Sequence, residues 1–382
     1  MSKRSGESID IEELERNRRN ARDNQKKRQE EEQDKIRRRA ELQEKLRNKA
    51  EKAVEKRNKK SFWDEYSWYI IGGGIALVVL WVLFGKGPSD NRAHKDVPVS
   101  EEDYIYRVNA ERRGYSLDTN EFFEGKTLED VKGLFNTKFT NKPSVPKCPT
   151  SSMAFISPKE KYNFVEKHPN CVGKIRDQGE CGASHAFAAT GVFSDRLCIL
   201  NNDERKFNAT AQHPLICGAG TSGCNGGFLV ESAEVGLTGG FVDEACLPYK
   251  PENIGVCAVE PSCSKAPVAS VCSISGTEAI KQHLKTGGPV AALMKVSREF
   301  FLYKEGMFDE KNVETPIDGF QAVKIVGWGT FYKLDYWIVE NSWGKTWGKE
   351  GYAHVKINSD GSGIEEAALV IQPLAEPTKA SE

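Results

Sequence analysis

At 382 residues the chain is long enough for about two domains of ordinary size. Its formal net charge of −1 hides a division: residues 1–60 hold 21 Lys and Arg against 14 Asp and Glu, while the remainder holds 33 against 41. The basic stretch has no interleaved aromatics, which argues against nucleic-acid binding, and a basic head on an acidic body suggests two compartments or two partners. All ten cysteines follow residue 147, with no Cys-x-x-Cys pair and no tight Cys/His spacing, so neither a metal nor a cofactor is expected. An even cysteine count in a folded region points to disulfides and an oxidising compartment.

Along the chain, residues 8–60 are dominated by Glu, Lys, Arg, Gln and Asn, and their few apolar residues hold no heptad. Opposite charges three or four apart support a solvated helix without supplying a core, so residues 1–65 read either as a flexible tail or as a helix that recruits a cytosolic partner. Tyr66 to Gly85 are twenty residues without a charge, enough at ~1.5 Å each to cross a hydrocarbon core of about 30 Å. Trp63, Trp68, Tyr69 and Trp81 suit interfacial belts, and the charge-rich stretch ahead is far too long for a signal-peptide n-region. Lys56, Arg57, Lys59 and Lys60 before the span, against Lys86 and Arg92 after it, orient the chain as a type II membrane protein: N-terminus cytosolic, residues 86–382 luminal or extracellular. Gly72-x-x-x-Ala76 offers a stripe through which two such helices would dimerise.

Residues 86–100 read as a linker, 101–149 as an amphipathic helix followed by an irregular stretch, 150–373 as the folded body and 374–382 as a tail. After Ser184 the residues Ala186, Phe187, Ala189, Val192, Phe193, Leu197 and Leu200 recur at helical spacing. The runs 288–294, 322–326, 336–340 and 352–357 read as strands separated by Gly-rich turns. A helical lobe followed by a sheet lobe gives an α+β class with a cleft between the lobes.

Three blocks stand in order: Gln178-Gly179-Glu180-Cys181-Gly182-Ala183-Ser184-His185, Cys224-Asn225-Gly226-Gly227, and Asn341-Ser342-Trp343-Gly344-Lys345-Thr346-Trp347-Gly348. Together they resemble the papain family of cysteine peptidases, over roughly residues 100–373 and nearest its cathepsin B and C branches. The resemblance implies a two-lobed papain-like fold, with a helical lobe, a β-barrel-like lobe and residues 101–149 as an inhibitory pro-segment bound by the body. It assigns Gln178 to the oxyanion position, Asn341 to the position that orients the base, and Gly226, Gly227, Trp343 and Ala367 to the substrate cleft. It also puts Ser184 where the family's nucleophilic cysteine stands and Gln321, in Gly319-Phe320-Gln321-Ala322-Val323, where its histidine stands. An alcohol needs a base to become a nucleophile, and an amide cannot take up a proton near neutral pH. His185, one residue along the same helix, points about 100° away from Ser184, so it reads as a packed or polar-capped histidine.

The chain therefore reads as a membrane-anchored, catalytically inactive papain-like domain that binds a peptide segment or protein in its cleft, as tubulointerstitial nephritis antigen-like proteins with serine at this position suggest. Two alternatives stand: a weak hydrolase using Ser184 and Gln178 with an unrecognised base, and a structural anchor whose cytosolic helix recruits partners. By resemblance the disulfides are Cys181–Cys224, Cys171–Cys198, Cys217–Cys257 and Cys246–Cys263. Cys148 and Cys272 are left either as free thiols or as a bridge holding the end of the pro-segment to the body. Asn208-Ala209-Thr210 is the one glycosylation sequon.

Overall fold

The computed structural model describes residues 97–142, 144–149, 156–157, 160–252, 256–359 and 361–374. The chain divides into two units, 1–89 and 90–382, and every described residue belongs to the second. The expectations for 1–65, the span 66–85 with Gly72 and Ala76, most of the linker and most of the tail lie outside these residues. Among the described residues no helix is long and apolar enough to cross a membrane.

The pro-segment-like region opens with helix α1 (Glu102–Ala110), begun by the acidic pair Glu102 and Asp103 that suits a helix N-terminus. Strand β1 (Tyr115–Leu117) and helix α2 (Leu128–Lys132) follow. Helix α2 starts in a capping box, Thr127 accepting from the Asp130 backbone N–H and Asp130 from that of Thr127. The region ends in strand β2 (Thr137–Lys138). The body continues with β3 (Tyr162–Asn163), α3 (Phe164–Lys167), α4 (Ser184–Leu200), α5 (Gln212–Cys217), β4 (Gly227–Phe228) and α6 (Leu229–Glu234). Next come β5 (Phe241–Val242), β6 (Lys265–Ala266), β7 (Val268–Ile274), α7 (Thr277–Gly287), β8 (Val290–Ser297), α8 (Arg298–Phe301) and β9 (Tyr303–Phe308). Strands β10 (Pro316–Phe331), β11 (Leu334–Glu340), β12 (Tyr352–Lys356) and β13 (Ala368–Pro373) close the chain.

The large sheet runs β1-β9-β12-β11-β10-β8-β13-β7, with β3 paired to β10. Only the β12–β9 pair within it is parallel. The pro-segment-like region thus adds an edge strand, β1, to the body's sheet. All but two of the 17 residues of α4 are buried, so this helix is wrapped on every side instead of lying on a surface. Strand β10 spans 16 residues and passes two register shifts, at Ile317/Phe320 and Ile325/Gly327. A side chain at Gly327 would lie 2.2 Å from the Tyr162 carbonyl oxygen, so only glycine lets β3 approach there.

Five disulfides tie the fold: Cys148–Cys272, Cys171–Cys198, Cys181–Cys224, Cys217–Cys257 and Cys246–Cys263. The four expected pairings are present, and the open case resolves as a bridge, because the Cys148 N–H donates to the Ser273 oxygen at 3.1 Å and Lys147 pairs with Ser273. Cys148 is thereby laid against β7 beside Cys272.

Candidate functional site

Ser184 begins α4 behind Ala183, which supplies no side-chain cap. The Cys181–Cys224 bridge and a Gly182 N–H···O Cys224 bond of 2.7 Å clamp this helix start to the glycine turn. A Cβ at Gly182 would come within 2.8 Å of the Cys224 oxygen, and one at Gly226, whose φ is +105°, within 2.1 Å of the Asn136 oxygen. Backbones approach here as only glycine permits.

Three of the predicted site residues, Gln178, Gln321 and Asn341, meet with Ser342 in one buried network. The Gln321 Nε2 on β10 donates to Gln178 Oε1 at 2.9 Å, to Asn341 Oδ1 at 2.9 Å and to Ser342 Oγ at 3.3 Å. Ser342 Oγ donates to Gln178 Oε1 at 2.7 Å, and Gln178 Nε2 donates to the Cys181 oxygen at 2.8 Å. Gln321 therefore gives Asn341 an N–H, the hydrogen bond expected of an orienting asparagine, but its remaining atom is a carbonyl oxygen. That Oε1 and the Nδ2 of Asn341 are buried and have no hydrogen-bond partner among the described residues. Gln178 spends its amide N–H on a backbone oxygen, leaving less to offer a substrate.

Ser184 stands beside this network but outside it. Its hydroxyl accepts from the Ala322 N–H at 3.2 Å and shares a 2.9 Å bond with the Thr137 hydroxyl of β2. Among the described residues no hydrogen bond joins Ser184 to Gln321. Ser184 and Gln321 are wholly buried. Strand β2 pairs in parallel with β4 through Thr137–Gly227 and Lys138–Phe228, and Asn136 donates to the Asn225 oxygen at 3.0 Å, so the glycine turn is already occupied by the chain itself. Further along, Glu231 accepts from the Thr140 hydroxyl at 2.9 Å and the Asn141 N–H at 3.0 Å, and Lys142 pairs with Glu234 at 2.5 Å.

Trp343 lies in an aromatic cluster that joins the two regions. Phe122, Phe123 and Phe135 from the pro-segment-like part meet Phe301 and Trp343 of the body at ring-centroid distances of 4.6–5.9 Å, and Trp343 packs in turn on Phe300 and Trp347. Ala367 is half-buried just ahead of β13, one residue beyond the row Ala368–Ala292–Val323 that crosses β13, β8 and β10. Asn208 is exposed, and its Oδ1 accepts from Arg205 at 2.6 Å. Thr137, Ser342 and Ser232 belong to the site and were not anticipated. Ser342 was signalled by its place beside Asn341; nothing local marks the other two.

His185 is fully buried, its Nδ1 bonded to the Ser232 hydroxyl at 2.7 Å and its Nε2 without a partner among the described residues. A Cβ at Gly227 would come within 2.6 Å of its ring. Burial pushes its pKa down to about 4, so the ring is neutral in ordinary buffers. Because the folded state disfavours its proton, this group leaves stability unchanged above about pH 6.5 and removes it progressively as pH falls from there toward about 4, by up to about 1.4 kcal/mol per unit. We expect the His185 imidazole to stay unprotonated at pH 5 in a side-chain NMR titration; a midpoint near 6.5 would mean that the ring is solvated.

The family description "Papain family cysteine protease" matches residues 159–372. The chain is 30% identical over 270 residues to "Cathepsin B-like CP2" of Giardia intestinalis, covering 64% of this chain and 85% of that protein. It is 28% identical over 258 residues to "Cathepsin B-like CP3" of the same organism, covering 65% and 85%. Among solved structures it resembles proCathepsin B S9 from Trypanosoma congolense, with a TM-score of 0.64 at 25% identity over 73% of this chain and 100% of that one. It also resembles procathepsin L 3 of Tenebrio molitor larval midgut, with a TM-score of 0.60 at 25% identity over 70% and 88%. Both neighbours are named as procathepsins, which is consistent with a pro-segment in this chain.

Proposed function

The chain belongs to the papain family of cysteine proteases, and we propose that it is a member that binds rather than cleaves, its cleft filled by its own residues 101–149. The observation that carries this reading is the Gln178–Gln321–Asn341–Ser342 network. It joins amides and hydroxyls where the chemistry needs an imidazole, and it stands beside a serine bonded to Thr137. A hydroxyl without a base is a poor nucleophile, and no group of this network takes up a proton near neutral pH. His185 is no substitute, since its one hydrogen-bonded nitrogen is directed to Ser232. The full-length protein should neither cleave peptide substrates nor be labelled by epoxide probes for cysteine proteases. Turnover that vanishes in Ser184→Ala would instead make the protein a serine-dependent hydrolase.

The reading includes an anchor: residues 66–85 as a single span, residues 1–60 in the cytosol and residues 86–382 in a lumen or outside the cell. Five disulfides support an oxidising surrounding for the body. The expected result is one endoglycosidase-sensitive glycan on Asn208, with residues 1–60 digested by protease added to sealed vesicles; protection of residues 1–60 would reverse the orientation.

Cys148–Cys272 bears on whether the cleft is ever freed, as it alone of the five bridges joins residues 101–149 to the body. Cutting the backbone between Cys148 and Tyr162 should yield two fragments that migrate together on a non-reducing gel and separate after reduction. Separation without reductant would show the bridge to be absent.

A further inference from the structure

Residues 101–117 cover a second buried cluster, built from carboxyls and phenols. The body supplies Glu299 of α8 and Glu310, which opens the short 3-10 turn Glu310–Asn312, and both are buried. The segment supplies Tyr104 of α1 and Tyr115 of β1, buried as well. Glu299 Oε2, Glu310 Oε2 and both phenol oxygens have no hydrogen-bond partner among the described residues. Three contacts lay the segment here: the β1–β9 pairing, a Met307 N–H···O Gly114 bond of 2.9 Å and an Arg113 bond to the Asn312 oxygen at 2.6 Å.

The surrounding charges are divided unevenly. Arg107 bonds Glu314 at 2.7 Å, and Arg113 bonds Glu314 too while standing 3.8 Å from Glu299 Oε1. Both arginines also meet Glu111. Glu299 Oε1 accepts from the Glu314 N–H. Arg298 lies 3.9 Å from the centre of the Tyr104 ring and pairs with Glu101 at 3.1 Å. Asp309, next to Glu310, is taken by Lys356 of β12 at 2.7 Å and by the Ser359 hydroxyl. Glu310 is left facing the negative charges of Glu299 and Asp309 and the phenol of Tyr115, and the cation acting on it is the exposed Lys295 of β8. Two carboxyls buried together ionise at a cost that one proton relieves.

We propose that this face is a proton-dependent clamp: a proton held by the Glu299–Glu310 pair keeps residues 101–117 docked, and its loss loosens them from the body. Burial, and after it the charge of Glu299, pushes the Glu310 carboxyl up to about 8. Its contribution to docking is complete below its ordinary value of 4.5 and is lost as pH rises through about 8. Glu314 sets the opposite limit. Its bonds to Arg107 and Arg113 hold it down at about 2, so its contribution is present above 4.5 and lost as pH falls toward 2. The phenols stay neutral throughout, since burial pushes both up, Tyr115 to about 12. Docking is therefore firmest near pH 4.5 and loosens toward neutrality, and an acidic surrounding keeps the segment in place.

The test is hydrogen exchange of the full-length protein in detergent between pH 5 and pH 8, each rate corrected for its intrinsic pH dependence. The open fraction of residues 102–117 is expected to rise by up to about tenfold per pH unit, and at least about thirtyfold overall, while α4 stays protected. Glu310→Gln keeps the shape of the protonated acid, so it should match the wild type at pH 5 and stay equally protected at pH 8. Glu314→Gln should lose protection at every pH yet keep the slope. Free exchange at all pH values would refute the docked segment on which the clamp rests, whereas firm protection unchanged from pH 5 to pH 8 would refute the clamp alone. A slope that survives in Glu310→Gln, or an α4 that loosens in parallel, would also overturn it. If Glu310→Gln does not fold, the wild-type series with α4 as reference decides.

Discussion

Ser184→Cys combined with Gln321→His is expected to convert an inert chain into a measurable peptidase, but only once residues 101–149 are displaced. A thiol at the start of α4 gains stabilisation from the helix dipole, and an imidazole on β10 at the position of Gln321 would sit within reach of Asn341 and supply the missing proton acceptor. Nucleophile and base act as a unit whose loss costs roughly 10⁶ in kcat, so either change alone should leave turnover at background. Thr137 holds the Ser184 hydroxyl at 2.9 Å and would meet the new thiol as well. The double variant should therefore be assayed after cutting the chain beyond Cys148 and reducing Cys148–Cys272, with circular dichroism to confirm that it remains folded. Activity in Ser184→Cys alone would show that no imidazole is needed. A folded, opened double variant at background would show that Gln178 and the glycine turn no longer hold catalytic geometry.

Phe123→Ala should produce the largest loss of stability from a single truncation in the pro-segment-like region, about 3–5 kcal/mol. The ring is completely buried, stacked on Phe301 at 4.9 Å and set edge-on to Trp343 at 5.1 Å. Its neighbour Phe122 is only half-buried, and Phe122→Ala serves as the internal comparison. The measurement is the urea midpoint, with an unchanged slope certifying one cooperative transition. If the two variants shift the midpoint equally and little, residues 101–149 are docked loosely and do not share the body's core.

The lobes and the order of the motifs could be read from residues, because blocks around Ser184, Gly226 and Asn341 carry specific spacings, whereas the four disulfide pairings came only through the family resemblance those blocks carry. Helix α4 was legible in its apolar recurrence, though its burial on all sides depends on partners distant in sequence. Of β10, only residues 322–326 had the look of a strand; Pro316, Gly319, Gly327 and Gly329 break the pattern, and the register shifts that absorb them are visible only once β8 and β11 are in place. Cysteine spacing left Cys148 and Cys272 undecided, since the deciding contact is the Lys147–Ser273 pairing across 126 positions. His185 could be read as packed, but not its bond to Ser232, 47 positions away.

The double attachment of residues 101–149, through the chain and through Cys148–Cys272, has a consequence for competition. A segment tethered this closely presents itself to its groove at an effective concentration of order millimolar or above. A dissolved peptide or inhibitory protein that matched it contact for contact would have to reach that concentration to displace half of it. Molecules around this protein at micromolar levels would therefore find the groove closed to them, and whatever they recognise must lie on the remaining surface.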